Sequence, residues 1–588
     1  MKIASIPVFG LLRAAVALWG AALPAAAATA VVNTLEMSND ADAFLSLPEG
    51  LAVLEGTLDR ALTAEEAAQI TGDLGPEDRV HFNIQGAGPH LLMIPEGGLR
   101  VRRAGLTIDG YTQPGAMLCT NPADQPNNAV IQIVLDARNG NHTGQPDEPE
   151  GRILVINAPD VTLRGLAILS TFATAEGGDN YGVGWGEGGA GGRISGCWIG
   201  LHPDGVTVAG GEVGVSAFET GGTHLIGTDA DGLDDDAERN VIVGHNVQIM
   251  FEDARECRVG GNFLGVMPDG RSLIPEAAEA LVTEGDAIEG GSLDGLVIGS
   301  PAAGPVLPAA SNVIGGMKDE VIQFYYGANT GVVIRGNRAG LAIDDQTPLP
   351  NGRFYNPSAA EALIADNILA NHVQPLITLR GKVMHQRNRM SENAALFDRV
   401  DESFMALQSG DADPVPRIDP LLTSKTRLVA TLPEVIGEGF SPAVVDLYWC
   451  DTTTAATVPQ GRYHLAAFTD SGAGDADPVA GRVDLDLSGI DLPPLGPGVL
   501  LMTATVQTTE GHGGTTPFSE PAPFDLRLPT LDIFPAAGNQ VHLEWTAPKW
   551  VLEQTATLSD GSWQKVNAPS PLTVPTSPGI GFFRLRLP

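Results

Sequence analysis

Apolar and polar residues alternate over four or five positions at many places between residues 75 and 395, and each run breaks at Gly, Asp or Asn before alternation resumes. Period-two alternation predicts short strands with one buried face. The break suits a backbone of positive φ, which Gly and Asn tolerate best, so the strand turns a corner there. The runs also recur. Ile194-Ser195-Gly196-Cys197-Trp198-Ile199-Gly200, followed by Pro203-Asp204-Gly205, returns 65 residues later as Val259-Gly260-Gly261-Asn262-Phe263-Leu264-Gly265, followed by Pro268-Asp269-Gly270. Leu225-Ile226-Gly227 and Asn240-Val241-Ile242 return 72 residues later as Val297-Ile298-Gly299 and Asn312-Val313-Ile314. Strands this short cannot bury their apolar faces alone, but stacked as rungs they enclose one continuous core. The pattern predicts a parallel β-helix over 75–395, with Asn262, Asn337 and Asn367 after corners where side-chain ladders form or break. A propeller is the competing solenoid, but its blades need hairpin turns, whereas Pro-Asp-Gly here opens long variable excursions.

The flanks read differently. Residues 1–30 have the form of a secretory signal, with Met1-Lys2 at the start, an apolar stretch from Ala14 to Leu23 and a small-x-small site at Ala28-Thr29-Ala30. Arg13 and Pro24 leave too short a run for a transmembrane span, so the mature chain carries none. Residues 31–74 form an N-terminal cap region. After the β-helix, 396–425 is polar and Pro-rich and reads as a linker. Period-two runs such as Leu428/Ala430/Leu432, Val445/Leu447/Trp449 and Met502/Ala504/Val506 predict a β-sandwich over 426–528. A small β module over 529–588 follows, with Trp545, Trp550 and Trp563 either in its core or presented to sugar rings.

Composition narrows the functions. The 588 residues carry Lys+Arg 34 against Asp+Glu 71, a formal net charge of -37, which excludes an electrostatic partnership with nucleic acid or an anionic membrane. Hydrophobic content of 43% excludes global disorder, and Gly 72 with Pro 43 dilutes helix formers. Cys119, Cys197, Cys257 and Cys450 lie too far apart for a disulfide framework or a metal knuckle, and unpaired thiols are the expectation.

With these residues in view, the chain resembles the secreted bacterial right-handed β-helix proteins of the CSLREA type. Gly56-Thr57-Leu58-Asp59-Arg60-Ala61-Leu62 is similar to their N-terminal element, from which Asp59 departs. Thr107-Ile108-Asp109-Gly110-Tyr111-Thr112-Gln113-Pro114-Gly115 looks like their first full rung. Trp449-Cys450-Asp451 and Pro517-Phe518-Ser519-Glu520 look like the immunoglobulin-like domain that follows such helices. The resemblance implies an all-β right-handed parallel β-helix, an immunoglobulin-like sandwich and export to the cell surface or medium; it implies no reaction.

Hydrolysis of a glycosidic bond needs two carboxyl groups facing one groove. Asp344-Asp345 is the tight acidic pair in a rung-like setting, and neighbours on a strand point to opposite faces, so the pair acts together only on a loop. A lyase needs a cation against the uronate carboxylate and a base for the adjacent proton. Arg380, Lys382, His385 and Arg387, with Arg389, form the basic cluster of this acidic chain. They read either as a patch for acidic glycan, with Lys382 or Arg380 as base, or as a charged edge that discourages strand pairing. Asp229, Asp231, Asp234 and Asp235 crowd one excursion, where hard oxygen ligands suit Ca²⁺ or simply a solvated loop. No zinc spacing, nucleophile elbow, phosphate loop or dinucleotide fingerprint occurs, so no other cofactor is expected. The leading expectation is a non-enzymatic exported protein for surface display, adhesion or contact with glycan or cell-envelope components. Its alternative is a polysaccharide lyase or other carbohydrate-active enzyme on acidic polysaccharide. A third assigns the last sixty residues to export or anchoring.

Overall fold

The structure is a computed structural model that describes residues 27–138, 151–171, 180–280, 282, 285–358, 360–398, 414–423, 426–433, 441–451, 459–490, 497–508, 513–525, 531–538, 540–545, 551–556, 563–566, 569–575 and 581–586. Three long sheets of 12, 10 and 10 strands form the body, and within each sheet neighbouring strands come from successive coils. Each coil contributes one strand per sheet, the topology of a right-handed parallel β-helix. No helix among the described residues is long and apolar enough to cross a membrane.

The core follows from the alternation. On the first sheet, Ala30, Val80, Ile108, Leu163, Ile194, Ile226, Val259, Ile298, Ile334, Ile364 and His385 pair in one unbroken column. Each is at most 2% exposed. This column corrects the repeat length. Ile226 stands between Ile194 and Val259, so the 65-residue offset spans two coils. The 72-residue offset does too, with Val259 between Ile226 and Ile298. Gly227 marks a corner at φ 96, where a Cβ would lie 1.9 Å from the Gly260 carbonyl of the next coil.

A buried asparagine ladder locks a second corner. The Oδ1 atoms of Asn240, Asn262, Asn312, Asn337, Asn367 and Asn388 each accept the backbone N–H of the preceding coil's corner residue, at 2.8–3.3 Å. Each Nδ2 from Asn240 to Asn367 donates to the next Asn Oδ1. Asn262, Asn337 and Asn367 were legible as ladder positions; Asn240, Asn312 and Asn388 complete the series. The two Pro-Asp-Gly excursions and the Ile343-Asp344-Asp345 turn are built alike as well: Asp204, Asp269 and Asp344 each accept two backbone N–H groups and a hydroxyl from the residues two and three ahead.

At the N-terminal end, two short helices, Leu47–Glu55 and Ala64–Ala67, each begin with a capping box, Ser46/Glu49 and Thr63/Glu66. Arg60 binds both capping glutamates and the carbonyls of Asn39 and Asp40. The unusual Asp59 beside it is exposed. At the other end the sandwich closes the stack. Met390 N–H donates to the Gly461 carbonyl at 2.9 Å, His385 N–H to Thr515 Oγ1 at 2.9 Å, and Asn393 exchanges hydrogen bonds with Gln460.

The sandwich pairs a three-stranded with a five-stranded antiparallel sheet around Leu428, Val445, Leu447, Trp449, Leu485 and Met502. Arg417–Ile418 pairs with Arg427–Thr431, so this part of the expected linker belongs to the sandwich; 401–413 lie outside the described residues. The last module has two three-stranded sheets. Trp545 is in its core, Trp563 stacks under Arg584 at 4.2 Å, and Trp550 lies outside the described residues. All four cysteines are buried and none forms a disulfide.

Candidate functional site

The expected basic patch does not assemble. Strand alternation places His385 at the end of the inward aliphatic column, fully buried against the Phe397 ring at 4.9 Å, and burial drives its imidazole down to about 4. Arg387 sits at a left-handed corner with φ 52, which breaks the period-two count linking it to His385 and Arg389. Its guanidinium is committed to Asp366 at 2.7 Å, a carboxylate it shares with Arg335. Lys382 points outward, 3.9 Å from Glu361, and Arg380 donates to the Pro357 carbonyl. These positions describe an edge at the last coil.

The acidic excursion does gather. Carboxylate oxygens of Asp229, Asp231 and Asp235 lie within 4.8 Å of one another and could hold one hard cation; Asp234 is exposed and outside that group. Arg193 binds both Asp229 and Glu238, so the loop's charge is already partly neutralised. On the outward row Thr162, Arg193, Leu225 and Arg258, this loop borders a cleft of about 440 Å³ lined also by Asp160 and Thr223. Asp344 and Asp345 do lie on a turn, but are spent there: Asp344 caps Thr347, and Asp345 pairs with Arg338 at 2.8 Å.

A different group of carboxyls emerges on the outer face of the third sheet, whose strands here run six or seven residues, Val247–Glu252, Asp286–Gly291 and Glu320–Tyr326. Ile249, Ile288 and Ile322 pair on the inward side. Alternation breaks just before that column, since Ala287 and Val321 are core residues as well, so Asp286 and Glu320 fall outside the core; Val247 pairs with Asp286, and Glu320 N–H donates to Asp286 Oδ1 at 2.6 Å. One position later, the outward row runs Ser216, Met250, Glu289, Gln323 and Asn356. Beyond it lie Phe218, Glu252, Gly291 and Tyr326.

Desolvation dominates the electrostatics. Asp286 is 2% exposed, and burial, reinforced by Glu289, Glu320 and Asp319, pushes its carboxyl up to about 8. Burial also raises Glu320, while its hydrogen bond from Asn356 Nδ2 at 3.0 Å opposes that. Glu289 and Glu252 are half-buried and face outward on this sheet. Tyr325 is 38% exposed at its end. Acids whose protons burial holds more tightly thus stand beside half-buried carboxylates and aromatics.

Sequence reasoning passed over this group because Asp286 and Glu320 are 34 residues apart and look like isolated acids. Only coil register unites them. Correct phasing of Ile249, Ile288 and Ile322 as one column would have exposed it.

No family model and no curated protein matches the chain. The fold, by its own register, defines a right-handed parallel β-helix with appended antiparallel β domains. Among solved structures, DFA-IIIase from Arthrobacter chlorophenolicus A6 is 12% identical over 62% of this chain and 74% of its own, with TM-score 0.33. An alginate lyase from Paenibacillus sp. str. FPU-7 is 11% identical over 55% and 92%, with TM-score 0.16. The FN1–FN3 domains of chicken CNTN1 are 15% identical over 30% and 57%, with TM-score 0.11.

Proposed function

We propose that this protein is an exported carbohydrate-active β-helix that hydrolyses a polysaccharide laid in a groove along the outer face of its third sheet. The observation that carries the reading is the placement of a burial-raised acid, Glu320, one strand away from the half-buried carboxylate Glu289. They stand one strand and three residues apart, roughly 11 Å between Cα atoms. Glutamate side chains can close that to the ~6.5–9.5 Å that admits a water in the inverting geometry. Glu320, whose proton burial holds more tightly against the opposing pull of Asn356 and Arg353, donates to the leaving oxygen. Glu289 takes the proton of the attacking water. Asp286 is too buried to touch substrate and acts by staying uncharged behind Glu320.

The test is a panel of polysaccharides read for new reducing ends and for the ultraviolet absorbance of unsaturated uronates. Hydrolysis with inversion, lost at least a thousandfold in Glu320→Gln while the fold is retained, is the expected result. Unsaturated product would mean a lyase, and tight binding without product would mean a display or adhesion protein.

Export carries its own expectation. Thr29–Val32 pairs with Arg79–Phe82 and Ala28 is buried, so a signal cut after Ala30 would divide a strand. The small residues Ala25 to Ala28 offer an earlier site, and mass spectrometry of the secreted chain should find its N-terminus there rather than at Val31.

A further inference from the structure

The third sheet breaks its register at one place. Gly290 pairs with Phe324 but Gly291 pairs with Tyr326, so Tyr325 is an extra residue in its strand. Such a bulge re-aims a side chain, and here it brings two successive tyrosines to one side of the strand instead of opposite sides. Their rings lie 5.0 Å apart at 55°. Gly291 makes room for the pair: a Cβ there would meet Tyr326 Cδ1 at 2.5 Å. Tyr325 donates its hydroxyl to Glu252. Four carboxylates surround the rings, with Glu252 and Glu289 acting on Tyr325 and Glu252, Asp253 and Glu219 on Tyr326. Glu219 and Asp253 occupy successive left-handed corners, φ 51 and 49, with Glu219 N–H bonded to the Glu252 carbonyl.

Tilted aromatic faces attract a cation through their quadrupoles, and carboxylates at their edges add direct attraction. The same charges repel a uronate. We infer that the Tyr325–Tyr326 corner receives a protonated amine, and that the glycan entering the groove is an amino-sugar polymer of the glucosamine type. The amine is assigned by the corner alone; its being part of a polymer rests on the groove reading above. A sugar ring lying on Tyr325 with its ammonium toward Glu252 and Glu289 leaves the next linkage over Glu289 and Glu320.

The experiment measures binding with turnover removed. Full-length chain carrying Glu320→Gln is titrated at pH 6 and low salt with tetramers of glucosamine, N-acetylglucosamine and galacturonic acid. The glucosamine tetramer should bind at least tenfold tighter than the N-acetylated one, and the galacturonate tetramer should not bind. Tyr325→Ala or Glu252→Gln should each remove most of that preference, Tyr325→Phe should keep it because the ring face remains, and 0.5 M salt should shrink it. Equal affinity for the amine and its acetamide, or preference for the uronate, overturns the assignment. Turnover of native protein separates the two readings. Preferential binding of glucosamine without any cleaved product sinks the hydrolase and leaves the amine site standing, whereas cleavage of neutral glycan with no amine preference does the reverse.

Discussion

Replacing Asn312 with alanine should cost about 4 kcal/mol of folding stability, read as a lower urea midpoint, because the ladder fails on two coils at once. Asn312 Oδ1 accepts both the backbone N–H and the Nδ2 of Asn262, and its own Nδ2 donates to the Val259 carbonyl and to Asn337 Oδ1. The residue is 0% exposed, so water cannot replace these partners. Alanine orphans the buried backbone N–H of Asn262, whose Nδ2 keeps the Ile226 and Gly260 carbonyls, and takes the side-chain donor from the Val259 carbonyl, each loss costing roughly 1–3 kcal/mol. Leucine at the same place fills the volume but loses the same partners, so it should rescue little. A loss below about 1 kcal/mol in both variants would mean the ladder is decorative.

The second large effect concerns Asp286. Its carboxyl, ordinarily near 3.8, is held at about 8 in the folded chain. Between those values the folded state keeps a proton that the unfolded state has released, so stability declines as pH rises through this window and the penalty is complete above pH 8. Each pH unit is worth about 1.4 kcal/mol, or on the order of 5 kcal/mol by pH 9. Asp286→Asn keeps an oxygen to accept the Glu320 N–H and carries no charge. Its melting temperature should match the native protein's near pH 4 and exceed it clearly at pH 9. Identical pH profiles would show that Asp286 titrates normally.

The β-helix was legible because its rules are local: a two-residue alternation, a corner glycine, an asparagine after it. Those signals sit within seven residues at Val259–Gly265, and they placed Asn262 on the ladder correctly. The length of a coil was not legible, since alternate coils resemble each other more than neighbours do, and the 65-residue offset skipped Ile226. That phase error hid the site. Without it, Asp286, Glu289 and Glu320 are three acids among 71, and the eye goes instead to charges that are adjacent in sequence, such as Asp344-Asp345 or Arg380 to Arg389. Side-chain direction decided those cases: within its strand alternation put His385 in the core, and the corner at Arg387 ended the period-two count before Arg387 and Arg389. The gathering of Asp229, Asp231 and Asp235 was readable because a single short excursion holds all three.

A solenoid has no intrinsic reason to stop. Each coil presents the next with the same row of donors and acceptors, and a copy of the molecule could supply the next row as well as its own chain does. Here the final coil hands those groups to a structure of another kind: Gln460 answers Asn393 as a further rung would, and Gly461 and Thr515 answer Met390 and His385. The sandwich thus serves as punctuation. It ends an otherwise repeatable sentence, and so makes a finite molecule out of a fold that could run on as a fibre.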